Sequence, residues 1–117
     1  MPAHVDESQL SATLSALADP TRRAILVRLA SGEATVGELA EPFAMSQPAI
    51  SKHLRVLSQA GLITQRRDAQ RRPCRIVAAP LRDVAVWAEQ FRRNWDESFR
   101  RLDSFLADVE QQRPAAE

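Results

Sequence analysis

The chain holds one cysteine, Cys74, and its longest apolar runs last only a few residues. A lone thiol excludes an internal disulfide framework and fits a reducing cytoplasm. Such short apolar runs leave nothing to span a bilayer, so no membrane partner is expected. The opening MPAHVDESQL is polar and acidic. It lacks the basic start and apolar centre of a signal peptide, and a cytoplasmic location follows as the expectation. An excess of one charge is also missing, since the net charge is +1 over 117 residues. That length suits one domain, and 44% apolar residues suit one modest core. A domain of this size leaves apolar surface for a partner to cover.

The balanced total hides an uneven distribution. Between Ser46 and Arg82 stand eight cations, Lys52, Arg55, Arg66, Arg67, Arg71, Arg72, Arg75 and Arg82, against one acid, Asp68. The rest of the chain is net acidic. A basic middle between acidic ends can attract an anionic polymer, or can be no more than a solvated surface.

Local signals divide the chain. Leu10, Leu14 and Leu17 recur at helical spacing and predict a first helix over about Glu7 to Ala18. Asp19-Pro20 reads as an N-cap followed by proline at the first helical position. A second helix follows to about Ala30, with Ile25, Leu26 and Leu29 inward and Gly32 as a left-handed stop. Thr35 and Glu38 have capping-box spacing and open a short third helix, which Pro42 should end. Ser46 can cap a fourth helix that runs to Ala60-Gly61. Pro48 is tolerated there because first-turn amides lack intrahelical partners. Leu62 to Arg67 and Pro73 to Ala78 read as two short strands, with Asp68 to Arg72 joining them. Pro80 opens a last, long helix.

The fourth helix has two unlike faces. At about 100° per residue, Ala49, Ile50, His53, Leu54 and Leu57 fall on one arc. Gln47, Pro48, Ser51, Lys52 and Arg55 fall on the other. A helix with such a polar arc suits the major groove, where glutamine can read adenine and lysine or arginine can take guanine or phosphate. A short helix before it and an arginine-rich hairpin after it give the order of a winged helix-turn-helix. The expected fold is mostly α with a small β-hairpin wing, five helices in all, dimerising through its terminal helices.

These residues resemble a known family. The run GELAEPFAMSQPAISKHLRVLSQAGLI, Gly37 to Ile63, is similar to the DNA-binding core of ArsR-type winged-helix repressors. ALADPTRRAILVRL, Ala16 to Leu29, looks like the helix that precedes it there. RRDAQRRPCRI, then APL and a tryptophan-bearing helix, resembles a non-metal-sensing branch. The resemblance covers about Ala12 to Val109. It implies a bacterial, homodimeric regulator that binds double-stranded DNA at a palindromic operator and represses its own operon. On that reading Ser46, Gln47, Pro48, Ser51, Lys52 and Arg55 form the recognition surface, and Arg66, Arg67, Arg71 and Arg72 the wing. The domain spans 1–111, with its DNA-binding core at 19–78, dimerisation helices at 7–18 and 80–110, and a disordered tail at 112–117.

No cofactor or metal is expected. Where metal-sensing members often carry a cysteine pair, this chain has Gly37-Glu38-Leu39-Ala40-Glu41, and the last helix has carboxylates but no histidine. Cys74 alternates with Ile76 and should face inward, which favours a structural thiol over a redox sensor. His53 lies on the apolar arc as an edge-of-core histidine, and is also a candidate phosphate contact. Ser51 and His53 sit on different faces with no orienting acid, so no catalytic site is expected and the protein is not an enzyme.

The last helix carries Trp87, Phe91, Trp95, Phe99, Leu102, Phe105 and Leu106 at threes and fours. Part of this stripe should cover its own core. The rest, with Leu10 and Leu14 of the first helix, should meet a second copy. Two alternatives stay open: a winged helix whose basic face meets an acidic protein, and a sensor that binds an unidentified small-molecule effector between the long C-terminal helices.

Overall fold

The computed structural model describes residues 6–67 and 71–112. Side chains start most of its elements. Helix α1 (Glu7–Ala16) begins at Asp6, whose carboxylate accepts the Ser8 and Gln9 amides. It ends two residues before the expected Ala18. Asp19 must be extended ahead of Pro20, and it is, at φ −103° and ψ 131°. Helix α2 (Pro20–Ala30) starts there, with Asp19 accepting the Arg22 amide at 3.0 Å. The arginines of its first turn reach back to the open end of α1. Arg22 Nε donates to the Ala16 carbonyl at 2.7 Å, and Arg23 Nη1 donates to the Leu17 carbonyl at 2.8 Å. These cations thus satisfy helix-end carbonyls that would otherwise lack partners. Gly32 does have positive φ after α2, but at 144° it lies beyond the compact left-handed region.

Helix α3 (Val36–Ala40) carries the full Thr35/Glu38 capping box. Pro42 does not stop the coil at once. Glu41–Phe43 tightens into a 3-10 turn, where proline in the first turn costs no hydrogen bond. The reversal comes at Ala44, a non-glycine residue in left-handed geometry at φ 51° and ψ 33°. Helix α4 (Gln47–Gln59) follows, with Ser46 Oγ accepting the Ala49 amide at 3.3 Å. It closes in a Schellman arrangement. Leu62 N donates to Leu57 O at 2.9 Å, Gly61 N donates to Ser58 O at 3.0 Å, and Gly61 has φ 78°. A second tie comes from α1, where Gln9 Nε2 donates to the Ala60 carbonyl at 2.8 Å.

Strands β1 (Ile63–Gln65) and β2 (Cys74–Ile76) pair antiparallel, Thr64 opposite Arg75. They are half the expected length. Beyond Gln65 an Arg66 N–H to Pro73 carbonyl bond of 3.0 Å continues the pairing. The joining residues Asp68–Gln70 lie outside the described residues. On its other edge β2 exchanges two bonds with Ala34, at 2.7 and 3.2 Å, which fastens the wing to the segment entering α3.

The core is built from Ile25 and Leu29 of α2, Leu39 of α3, Ile50, Leu54 and Leu57 of α4, then Leu62, Ile63 and Cys74. Leu81 packs at its margin. Helix α5 (Ala79–Gln112) is 34 residues long and includes Gln112, which was expected in the tail; residues 113–117 lie outside the described set. The chain forms two compact units that divide after Ala85. In the second, Trp87 meets Phe91 edge-on at 5.2 Å, and Phe91 stacks with Trp95 at 6.3 Å. Beyond them Trp95, Phe99, Leu102, Phe105 and Leu106 are all at least half exposed. In the first unit Leu14 is exposed, but Leu10 is buried within the single chain. Leu10, expected at a dimer face, therefore has almost no surface left to offer a second copy. Its neighbour one turn on, Thr13, is buried with it and donates to the Gln9 carbonyl at 2.9 Å.

Candidate nucleic-acid interface

Two caps and a core face fix α4 in place. Ile50, Leu54 and Leu57 are buried, while Gln47, Pro48, Ser51, Lys52 and Arg55 are exposed. Ser46 is exposed too, but its oxygen already accepts an α4 amide. That leaves only its hydroxyl proton and a lone pair for anything outside.

The wing closes over the start of this polar face. Gln47 and Ser51 of α4, Arg71 and Arg72 of the wing, and Thr35, Val36, Gly37 and Glu38 at the start of α3 line one groove of about 490 Å³. A neighbouring groove of about 250 Å³ is lined by Ser51, Arg55 and Ser58 of α4, with Arg72, Gln65 and others. Ser51 and Arg72 thus border both. Lys52 and Arg67 are exposed but line neither. Arg66 faces another way, with Nη2 3.4 Å from Glu33 Oε1. So the structure brings Gln47, Ser51, Arg55, Arg71 and Arg72 together. Arg66 lines neither groove along α4; it shares a smaller cleft with Arg71 and has an acidic partner in Glu33.

His53 is turned from this surface. Its Nδ1 lies 3.8 Å from Asp19 Oδ2, with side chains 21% and 32% exposed. The candidate phosphate contact therefore faces a carboxylate at the N-cap of α2. The Arg22 amide holds the Asp19 carboxyl below its ordinary range against desolvation, with the His53 side chain, the Arg22 charge and the Thr21 amide assisting. Glu38 is held low as well, chiefly by the backbone and hydroxyl of Thr35, with the charges of Arg28 and Arg71 assisting.

Cys74 is buried at the base of the wing. Gln65 Nε2 lies 3.5 Å from its sulfur, and the thiol points to the Arg72 carbonyl at 3.8 Å. Burial raises its pKa, which keeps it protonated and unreactive at neutral pH. Among the described residues no three His, Cys, Asp or Glu side chains gather as a metal site, and no helix is long and apolar enough to cross a membrane.

That the start of α3 borders this groove is not legible in the sequence. Thr35 and Glu38 were visible as a capping box, but nothing local shows that they face Arg71. Gln65 and Glu33 were missed for the same reason. Each meets its partner across a turn or a longer chain interval, which periodicity does not reveal.

The model for "Bacterial regulatory protein, arsR family" matches residues 19–65. The transcriptional repressor SdpR of Bacillus subtilis is 40% identical over 81 residues, covering 69% of this chain and 90% of SdpR. The crystal structure of an ArsR family transcriptional regulator superposes with a TM-score of 0.70 at 41% identity, covering 78% of this chain and 94% of that one. The homodimeric winged helix-turn-helix DNA-binding domain of Mb0332 from Mycobacterium bovis, solved in solution, gives a TM-score of 0.60 at 28% identity, covering 80% and 91%. Five α-helices and a two-stranded wing among the described residues, the exposed polar face of α4 and these likenesses lead to one assignment. The chain belongs to the arsR family of winged helix-turn-helix, DNA-binding transcription regulators.

Proposed function

We propose that the protein is a cytoplasmic, homodimeric repressor that reads a palindromic operator upstream of its own operon with α4 and holds flanking phosphates with its wing. One observation carries the DNA contact: Gln47 and Ser51 share a groove with Arg71 and Arg72. Groups able to read base edges thus stand beside groups able to neutralise phosphate, and specific DNA recognition needs both. Gln47 sits in the first turn of α4, the part of a recognition helix that reaches base edges. Its amide presents a donor and an acceptor side by side, the pattern that adenine matches. Lys52 and Arg55, also exposed, extend the surface.

The exposed stripe Trp95, Phe99, Leu102, Phe105 and Leu106 supports dimerisation through α5. A row of half-exposed aromatic and aliphatic residues is costly to leave in water and marks an interface. Trp87, Phe91 and Trp95 pack on each other, which favours interface over the walls of an effector pocket. In the first unit Leu14 stays available to a partner, and Leu10 does not. A two-fold dimer on a palindromic site sets its recognition helices about 34–36 Å apart.

The test is fluorescence anisotropy with the gene's own upstream DNA and a scrambled duplex. Tight, salt-sensitive binding to the first and weaker binding to the second are expected. Gln47→Ala should cost about 1–3 kcal/mol on the operator and change the preferred base at one position per half-site. Equal loss on every sequence would mean that Gln47 does not read bases.

A further inference from the structure

The cations of the wing are not all at rest in water. Glu33, from the link between α2 and α3, lies 3.4 Å from Arg66. Glu38, in the first turn of α3, lines the same small cleft as Glu33, Arg66 and Arg71. Two carboxylates and two guanidiniums thus occupy one recess beside the groove that holds Gln47 and Ser51. The acids are well anchored. Glu38 is fixed by hydrogen bonds with the Thr35 amide and hydroxyl at 3.2 and 2.9 Å. Glu33 precedes Ala34, which pairs with β2 through two backbone bonds. The low carboxyl pKa of Glu38 comes chiefly from the Thr35 amide and hydroxyl, with the charges of Arg28 and then Arg71 adding to it. Both acids remain exposed enough to be displaced.

A carboxylate offers a guanidinium the same paired oxygens that a phosphate does. Glu33 is therefore a rival of the DNA backbone for Arg66. We propose that Glu33 is an internal phosphate mimic that occupies Arg66 in the free protein, with Glu38 adding negative charge to the cleft it shares with Arg71, and that the two so lower affinity for DNA of any sequence. DNA must exchange the Glu33 carboxylate for a phosphate, so the gain at that wing contact is the difference between two similar pairs. The consequence is specificity. Affinity for random DNA comes almost wholly from phosphate contacts, so weakening those leaves more of the binding to the base-reading face of α4. This inference rests on the wing-to-phosphate reading above, and its test separates the two.

The test uses the full chain and four proteins: wild type, Glu33→Gln, Arg66→Gln and the double variant. Each is titrated onto a scrambled duplex at several salt concentrations. Glu33→Gln is expected to bind about two- to five-fold tighter, the range of one exposed ion pair, with a steeper salt slope. Adding Arg66→Gln should remove that gain. If Glu33→Gln binds no tighter, the mimic idea is overturned. If Glu33→Gln tightens binding by the same factor in the Arg66→Gln background as in wild type, Glu33 acts by general repulsion and not through Arg66, which overturns it too. If Arg66→Gln costs nothing even beside Glu33→Gln, the wing-to-phosphate reading itself has failed at this position. Glu38→Gln repeats the test for Arg71. Glutamine keeps the capping box, so folding is preserved while the charge is lost.

Discussion

Replacing Arg72 with alanine is expected to flatten the salt dependence of DNA binding, and to do so more than replacing Arg66. The structure sets the order. Arg72 borders both grooves along α4, whereas Arg66 stands 3.4 Å from Glu33. Each neutralised phosphate contributes about −0.9 to the slope of log affinity against log salt on B-form DNA. From about 50 to 200 mM salt, one contact is then a factor of about 3.5, and one from each protomer of a dimer a factor of about 12. Arg72→Ala is expected to shrink the salt-induced loss of affinity by that amount, on operator and scrambled duplex alike. Arg66→Ala is expected to shrink it less, because its contact also breaks a bridge to Glu33. The substitution leaves the wing itself in place. What anchors Arg72 to the core is its carbonyl facing the Cys74 thiol, and alanine keeps that carbonyl. Anisotropy titrations at four or more salt concentrations give the slopes, and circular dichroism checks the fold. An unchanged slope for Arg72→Ala would refute its phosphate contact. A larger change for Arg66→Ala than for Arg72→Ala would refute the ordering drawn from Glu33.

Three further outcomes follow from the same structure. Leu57→Ala empties a fully buried site where α4 ends and β1 begins, and urea denaturation is expected to show a loss of about 2–5 kcal/mol. Phe99→Asp places a charge in the exposed α5 stripe, where Phe99 is 64% exposed. Sedimentation is expected to shift from dimer towards the 13.1 kDa monomer with the thermal midpoint of the first unit little changed; an unshifted dimer would remove α5 from the interface. Asp19→Asn tests the α2 cap by pH. Because folding lowers the Asp19 pKa from about 3.8, the charged form stabilises the protein above that value. The advantage of wild type over Asp19→Asn is therefore expected at neutral pH, and is lost as pH falls through the folded value. A stability difference that stays constant with pH would show that the Asp19 charge contributes nothing.

What was legible in the sequence was what is decided within one turn of helix. Asp19-Pro20, Thr35 with Glu38, and Ser46 with Pro48 each name a helix start, because a side chain and an amide three residues apart settle it. The polar and apolar arcs of α4 were legible because a buried helix must segregate them, and Ile50, Leu54 and Leu57 are buried as that pattern requires. The misplacements come from contacts that cross the chain. The pairing of β2 with Ala34 holds Cys74 from a segment 40 residues earlier, so the ladder needs only three residues on each strand. The 3-10 turn at Pro42 depends on Ala44 accepting left-handed geometry, which no residue preference at alanine announces. Leu10 repeats at the spacing of Leu14, and spacing alone gives no means to tell a covered position from an open one.

Several basic side chains have partners within the chain. Counted along the chain, Arg22, Arg23 and Arg66 all add to the positive charge of the molecule. Arg22 and Arg23 close the end of α1, Arg66 meets Glu33, and His53 stands beside Asp19. Each has a local task that lies at right angles to base reading. His53 makes the point most directly, since it follows Lys52 immediately on α4. One step along the helix turns a side chain by about 100°. That rotation carries Lys52 to the open face and His53 to the N-cap of α2, which packs against α4. The same helix thus turns a polar face outward on one side and is held by α2 on the other. A change in how Asp19 and His53 meet would reach Gln47 and Ser51 only through the rigid body of α4, so the two faces are distinct in chemistry and joined in position.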